Sequence, residues 1–485
     1  MEKYRIRLNI AGEHMDKNSI QELCGYITQV FSKCDDFLER RINSENSSVY
    51  ICYFKGITQR DYISEKIIKP MLENLTALDN FNGNFETLLQ CATLKYPPDS
   101  SSVSESLLRG EVLIAIEKPG EKKLYTVLAN AQFTIGRSIN EPTSDVTIKG
   151  PKAGFVEDAE TNVTELRRYI RSTSFKFISL NLGDVSGTKI LLGYIEGRAD
   201  QKVVDELKNK IESASATGIV DSGNIEMITD TRKVPIFPIM GSSEKVDKVA
   251  SKLLSGRVAV IVDGSPFVLT APYVFAESIQ SSEDYLRSPY YATFIRTLRF
   301  LALITALYLP ALLITIITSH NELLPEVMVK TIEEMRADMP FSLFWEVVIV
   351  LLIFEMLREV GVRMPRAAGD AIGIVGSLIL GDAAVQAGIA SPVVIIAVAM
   401  AAVCAFIVPT YMYSTVILRF VFSFIANTLG FYGLILATLM VLYIMSTTNS
   451  YGSSYMSPIA PFDKAGMEDF IYAEPRKTLG RKEKP

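Results

Sequence analysis

The hydrophobic pattern of the chain changes at about residue 290. Before that point, short apolar runs alternate with charged and polar residues, whereas long uncharged runs occupy the stretch from residue 300 to residue 462. The first pattern is typical of the strands and amphipathic helices of a layered domain, and the second has the length needed to cross a bilayer. We therefore predict an α/β N-terminal region followed by an α-helical transmembrane domain.

The N-terminal region is predicted to contain two small α/β subdomains, residues 1–110 and residues 111–290. In the first subdomain, residues 48–55 are rich in β-branched and aromatic side chains, as in a buried strand. A run of apolar residues with helical spacing follows Asp61, which is a suitable N-cap. A small sheet covered by at least one helix is the expected structure.

The second subdomain shows the same alternation of strand and helix patterns. Residues 111–129 are predicted as two strands joined by a Pro-Gly turn. Further strands are expected at residues 175–182 and 189–195, and helices at residues 201–211 and 243–254. This alternation favours a layered α/β domain over a helical bundle.

Four membrane spans are predicted in the transmembrane domain, residues 291–448, and six is the alternative count. Residues 300–319 carry no charge, and about 20 residues suffice to cross a hydrocarbon core as a helix. Pro310 can kink this helix, which packing against neighbouring helices tolerates. The other three predicted spans are residues 341–357, 391–412 and 415–445.

Basic residues predict the orientation of these spans. Arginines gather before the first span and after the second, whereas the loop at residues 321–340 is net acidic. The C-terminal tail, residues 449–485, is basic at its end. The positive-inside rule therefore predicts that the N-terminal region and the tail are cytoplasmic, which requires an even number of crossings.

Residues 354–384 combine charged side chains and glycines with apolar runs. Glu355, Arg358 and Glu359 can share one helical face, and ionisable groups at a membrane are costly and therefore functional candidates. Asp382 either faces a water-filled path or occupies an ordinary helix end. Small residues, among them Gly373, Gly376 and Gly381, permit close packing of the segment.

Composition excludes several classes of function. The formal net charge of −5 gives no support to nucleic-acid binding, and the five cysteines form no CxxC pair. His14 and His320 are the only histidines and lie in different domains, so no histidine metal site or Ser-His-Asp triad is expected. Residues 183–189 have the wrong spacing for a phosphate loop. We expect no catalytic residues, no metal and no cofactor.

Several motifs resemble the A subunit of GerA-type spore germination receptors. They occur in the order found in that family, from about residue 48 to the C-terminus. The motifs are KGPKAGFVE (residues 149–157), GRVAVIVDGSPFVL (256–269), FEMLREVGVRMP (354–365), IGIVGSLILGDAAVQAGIASP (372–392) and YMSPIAPFD (455–463).

The resemblance implies a multi-pass receptor subunit in the spore inner membrane. In that family a transporter-like B subunit is thought to hold a small nutrient, and a lipoprotein C subunit completes the receptor. The A subunit is proposed to form a homo-oligomer, a pentamer, that conducts cations and starts germination. Membrane lipids are the other expected partner, and no nucleic acid is expected.

This resemblance gives the charged stretch candidate roles. Rings of Glu355 and Glu359 around a symmetry axis would attract cations, with Asp382 near the same path. Helix-locking or gating roles are expected for Arg358, Arg363, Pro365, Gly373, Gly376 and Gly381. Two alternatives remain: a non-conducting scaffold or signal-transducing subunit in which the same carboxylates pair with arginines, and an accessory germination protein that resembles stage V sporulation protein AF.

Overall fold

A computed structural model describes residues 20–44, 46–79, 81–91, 93–97, 100–118, 123–133, 150–337, 339–363, 381–467 and 469–472. The chain divides into two compact units. The first comprises Met1–Thr231 and Met240–Pro272, and the second comprises Arg232–Ile239 and Tyr273–Lys484. The first unit contains the two large sheets, and the second contains the long helices.

The first sheet is antiparallel, with strand order β1-β2-β4-β5-β3. Its strands are β1 (Phe37–Asn43), β2 (Ser48–Phe54), β3 (Leu94–Lys95), β4 (Glu111–Lys118) and β5 (Lys123–Asn130). Apolar side chains cover both faces of β2 and β4, which form the centre of two hydrophobic clusters. The helices of this part are α1 (Ile20–Val30), α2 (Arg60–Tyr62), α3 (Lys69–Glu73), α4 (Leu75–Asp79) and α5 (Ser100–Leu108), and a π-helical stretch, Ile63–Ile68, joins α2 to α3.

The second sheet is also antiparallel, with order β6-β7-β9-β10-β8. Its strands are β6 (Phe175–Leu182), β7 (Thr188–Ile195), β8 (Gly241–Ser243), β9 (Val258–Val262) and β10 (Val268–Ala271). Its helices are α6 (Ala159–Tyr169), α7 (Gln201–Glu212), α8 (Ser222–Thr229) and α9 (Val246–Leu254). Asp158 and Asp200 cap α6 and α7, because each carboxylate accepts a backbone N–H of the first turn.

The sheet-rich N-terminal region is confirmed, but the predicted boundary at residue 111 falls inside the first sheet. Ile51 of β2 pairs with Ile114 of β4, and β4 pairs along its length with β5. The hairpin at residues 111–130 therefore completes the first sheet and does not open the second subdomain. Local patterning identified both strands but carried no information about which sheet they join.

The second unit is built from helices. They are α10 (Phe275–Ile279), α11 (Pro289–Ser319), α12 (Glu326–Arg336), α13 (Leu343–Arg363), α14 (Pro392–Ile407), α15 (Met412–Thr447) and α16 (Lys464–Met467). A short two-stranded ribbon, β11 (Asn449–Ser450) with β12 (Ser453–Ser454), follows α15. One hydrophobic cluster joins α11, α13, α14 and α15, and includes Ile314, Val347, Val398 and Phe422.

Two stretches of the described chain have the length and composition of membrane spans, Pro289–Ser319 and Pro409–Thr447. The apolar helix α14 is shorter, and α13 carries several charges. The helical C-terminal part with apolar helices is thus confirmed. The prediction of four spans is not confirmed. A helix of 31 residues such as α11 is about 46 Å long, which exceeds the thickness of a hydrocarbon core, about 30 Å.

The predicted single tilted helix at residues 415–445 is wrong, because α15 turns back on itself at Gly430. This glycine has φ 59° and ψ −141°, which interrupts the helix. Tyr411 immediately precedes α15, and its hydroxyl contacts the hydroxyl of Tyr455. Thr448 immediately follows α15, and its carbonyl accepts the backbone N–H of Tyr455. Both ends of α15 therefore lie close to Tyr455 and to each other. A straight helix of 36 residues would separate its ends by about 54 Å.

Contacts of Tyr308 on α11 confirm the hairpin. Its ring packs on Phe422, with 5.2 Å between ring centroids, and its hydroxyl donates to Thr438 at 2.9 Å. These two partners lie on opposite sides of Gly430 in the sequence. Residues 412–429 and residues 431–447 are therefore two antiparallel helices, and each is about 26 Å long.

Candidate functional site

A buried carboxylate and two arginines meet in the middle of the helical unit. Glu355 of α13 has 15% of its side chain exposed, and Arg358 Nη2 lies 2.6 Å from its Oε2. Arg419 of α15 lies on the other side, with Nη1 4.0 Å from Glu355 Oε1. The Glu355 charge is thus compensated by two guanidinium groups, one from its own helix and one from a neighbouring helix.

Sequence reasoning did not single out Arg419. Its side chain is 1% exposed, which is rare for an arginine, and it lies within a predicted membrane span. The signal was present, since Arg419 is the one residue between positions 383 and 462 that is an Asp, Glu, Lys, Arg or His. A lone intramembrane charge of this kind is a functional candidate.

The other two predicted carboxylates lie apart from this cluster. Glu359 is one turn further along α13, and it has 58% of its side chain exposed and accepts a hydrogen bond from Arg363 Nε at 2.7 Å. Asp382 is exposed and accepts a hydrogen bond from Gln386 at 2.7 Å. The described residues therefore bring Glu355 together with Arg358 and leave Glu359 and Asp382 accessible.

The predicted glycine and proline positions are only partly described. Pro365, Gly373 and Gly376 lie outside the described residues. A Cβ atom built on Gly381 would meet no atom of the described chain within 4 Å, so close backbone packing is not observed there.

A second buried carboxylate lies at the opposite end of α13. Glu346 is fully buried, and Arg336 of α12 donates to its Oε1 at 3.0 and 3.1 Å. Its Oε2 accepts the backbone N–H and the hydroxyl of Ser391 at 3.1 and 2.9 Å. Ser391 is the N-cap of α14, so Glu346 also neutralises the positive end of that helix.

These contacts fix the direction of each helix. Because Ser391 meets Glu346 near the start of α13, α13 and α14 run in the same direction from that end. Arg363 at the end of α13 is 17 positions beyond Glu346, about 26 Å along the helix. Arg363 and Ser391 therefore lie near opposite ends of α13.

A third charged cluster lies at the start of α11. Arg296 is fully buried, and its Nη1 donates to both the carboxylate and the carbonyl of Asp469 at 2.8 Å. Asp284 pairs with Arg296 at 3.2 Å and with Arg299 at 2.7 Å. Burial raises the pKa of Tyr285 most, and the Asp469 carboxylate, which accepts a hydrogen bond from the Tyr285 hydroxyl, raises that pKa further. This network attaches the segment after the β-ribbon to the first long helix.

In the first unit, Arg167 of α6 forms a buried ion pair. Its guanidinium is 1% exposed and binds both carboxylate oxygens of Asp36, at 2.5 and 2.8 Å. It also lies over the ring of Phe54 at 4.6 Å. Burial lowers the pKa of Arg167, but Asp36 outweighs burial and the net pKa is raised. Arg167 thus joins the two sheet-bearing parts of this unit.

The described residues contain no group of three or more His, Cys, Asp or Glu side chains that could hold a metal ion. Instead, the buried ionisable groups form ion pairs between helices. The protein thus combines a unit of two antiparallel sheets with a helical unit, and two stretches of the described helical unit are long and apolar enough to cross a membrane.

Comparisons with known proteins give the family. Residues 25–484 match the family described as Bacillus/Clostridium GerA spore germination protein. Spore germination protein KA of Bacillus subtilis (strain 168) is 36% identical over 429 residues, which cover 88% of this chain and 78% of that protein. Spore germination protein A1 of the same strain is 33% identical over 468 residues, which cover 95% of each. The chain therefore belongs to the GerA family of spore germination proteins.

One solved structure is also similar. It is the crystal structure of the N-terminal domain of the A subunit of the Bacillus megaterium spore germinant receptor GerK3. The two chains are 25% identical with a TM-score of 0.40, and the match covers 53% of this chain and 96% of the other.

Proposed function

We propose that this chain is the A subunit of a nutrient germinant receptor in the spore inner membrane and that it is needed to trigger germination. Family membership over nearly the whole chain supports this proposal, because the relatives are spore germination proteins. The buried ion pairs support a role in holding helices together and transmitting a signal.

In this proposal the first unit and the C-terminal segment are cytoplasmic. The distribution of arginines favours this orientation. Both ends of α15 lie beside the start of the β-ribbon, and Arg363 and Ser391 lie near opposite ends of α13. The two antiparallel helices at residues 412–429 and 431–447 add one crossing to the predicted four, and both termini on one side require an even number, so six crossings are the proposed count.

We further propose that several copies surround a cation path. The helices of one copy pack around a hydrophobic core, so a conducting path requires oligomerisation, with a pentamer as the proposed assembly. The exposed carboxylate of Glu359, with 58% of its side chain accessible, is the observation that carries this proposal. A ring of such carboxylates attracts cations, and exposed Asp382 is the second candidate.

Glu355 has a different role in this proposal. Two arginines compensate its charge, so it holds helices together and does not coordinate a passing ion. The same pairing supports the alternative of a non-conducting scaffold or signal-transducing subunit. An accessory germination protein similar to stage V sporulation protein AF is a further alternative, and it would act without its own B and C subunits.

Ion flux separates the channel from the scaffold. Spores carrying Glu359→Gln and Asp382→Asn together should release K⁺ about tenfold more slowly when exposed to a mixture of common L-amino acids, because the carboxylates no longer concentrate cations. Glu326→Gln is the matched control, since Glu326 is an exposed carboxylate at the other end of the helices. Unchanged release at a normal receptor level would leave only the scaffold.

Partners are tested by purification. A tagged chain from spore membranes should retain a transporter-like B subunit, a lipoprotein C subunit and further copies of itself, together with bound lipid. Recovery of the chain without B and C subunits would favour the accessory protein. Recovery of a stable monomer would contradict the oligomeric channel.

A further inference from the structure

The helix α11 contains a proline at a buried position. Pro310 lies inside the helix and has no N–H, so it cannot donate to the carbonyl four residues earlier. That carbonyl belongs to Ala306, which is fully buried. A buried carbonyl without a donor costs free energy, because water cannot replace the missing bond.

Arg419 supplies the missing donor. Its Nε lies 2.9 Å from the Ala306 carbonyl oxygen, although 113 residues separate the two in the chain. Because the guanidinium is planar and carries five N–H groups, one nitrogen can bond this carbonyl while the others face further partners.

The rest of the guanidinium faces two more helices. Nη2 donates to the carbonyl of Ala401 on α14 at 3.4 Å, and Nη1 lies 4.0 Å from the Glu355 carboxylate on α13. One side chain of α15 thereby contacts α11, α13 and α14. Nη1 makes no hydrogen bond to any residue that the structure describes. Glu355 is held from its other side by Arg358.

We propose that Arg419 is a positioning residue that supplies the hydrogen bond that Pro310 removes from α11 and holds Glu355 at the common contact of four helices. Burial of a guanidinium is costly unless its N–H groups have hydrogen-bond partners. The Ala306 carbonyl is such a partner, and it is available only because Pro310 has no N–H to donate to it. Pro310 and Arg419 therefore act as a pair. The expected effect of this helix contact on ion release rests on the proposed function, whereas the bond to Ala306 does not.

A double-mutant cycle on the full-length protein in detergent tests the pair. Trp345 is the single tryptophan, and its fluorescence reports the unfolding midpoint. Arg419→Leu should lower the midpoint by about 3–8 °C, since it leaves the Ala306 carbonyl without a donor. Adding Pro310→Ala restores an N–H to α11 and should recover at least half of that loss. If the change in unfolding midpoint of the double variant equals the sum of the changes of the two single variants, the proposal is wrong.

A matched control uses the same change at an exposed arginine. Arg363 has 78% of its side chain exposed, so Arg363→Leu with Pro310→Ala should show additive shifts. Coupling of similar size in this control would mean that Pro310→Ala acts on the whole unit. That result would contradict a specific bond between Arg419 and α11.

Positioning of Glu355 is tested in spores. The Pro310→Ala, Arg419→Leu double variant should match Pro310→Ala in receptor level but release K⁺ at least fivefold more slowly in the amino-acid mixture, because Glu355 has lost one guanidinium. Equal release would show that Arg419 only supports folding, which overturns the positioning role. If spores that lack the chain release K⁺ normally, the proposed function is wrong. The double-mutant cycle would then still test the hydrogen bond between Arg419 and the Ala306 carbonyl.

Discussion

Glu346 accepts hydrogen bonds from both the backbone amide and the hydroxyl of Ser391, at 3.1 and 2.9 Å, while its other oxygen binds Arg336. Three helices, α12, α13 and α14, thus share one fully buried carboxylate. The charge is matched by a guanidinium and by the N-terminus of α14, which makes its burial tolerable.

Removal of this charge should destabilise the helical unit. Glu346→Gln leaves Arg336 without a buried counter-ion, so we expect the free energy of unfolding to fall by about 3 kcal/mol. Fluorescence of the adjacent Trp345 during chemical denaturation measures the change. Glu334→Gln on the exposed side of α12 is the control and should change little. Equal stability of the two variants would contradict the shared role of Glu346.

The turn at Gly430 makes a prediction about topology. Tyr413, Ser446 and Tyr432 are all exposed, the first two near the ends of α15 and the third near its turn. In a background without native cysteines, single cysteines at positions 413 and 446 should react with an impermeant maleimide from the same side of the membrane. Position 432 should react from the other side. Labelling of positions 413 and 446 from opposite sides would indicate one continuous span.

In the first unit, the contact between Arg167 and Asp36 should depend on the shape of the guanidinium. Arg167→Lys keeps the charge but cannot bond both carboxylate oxygens or lie flat on Phe54. We expect a loss of about 2–4 kcal/mol, detected as faster hydrogen exchange in β1 and β6 of the full chain. The control Arg171→Lys, at an exposed arginine, should leave the exchange unchanged.

Elements with a strong local pattern could be predicted from the sequence. The predicted strand at residues 175–182 matches β6, and the predicted helix at residues 201–211 matches α7 to within one residue. In both segments the apolar periodicity and the flanking cap or turn residues agree with the fold. The family could also be identified, because several motifs occur in order.

Features that depend on distant contacts could not be predicted. The hairpin at residues 111–130 joins the first sheet because β4 pairs with β2, which no local pattern encodes. Gly430 lies in an apolar run that looks like one long helix, since the turn needs only a single glycine and no polar loop. Likewise, the sequence predicts Glu355 as a candidate site residue, but its second arginine comes from another helix 64 positions away in the sequence.

The fold at Gly430 also constrains how the protein is synthesised. Residues 412–429 leave the ribosome before the residues that cover them, and Gly433 packs directly on Leu429 and Ile425 once the turn has formed. Formation of the two helices as a pair brings these surfaces into contact as soon as residues 431–447 follow. A nascent chain that stopped at the turn would keep every residue that contacts Arg419 and still leave Leu429 and Ile425 without Gly433 to pack against.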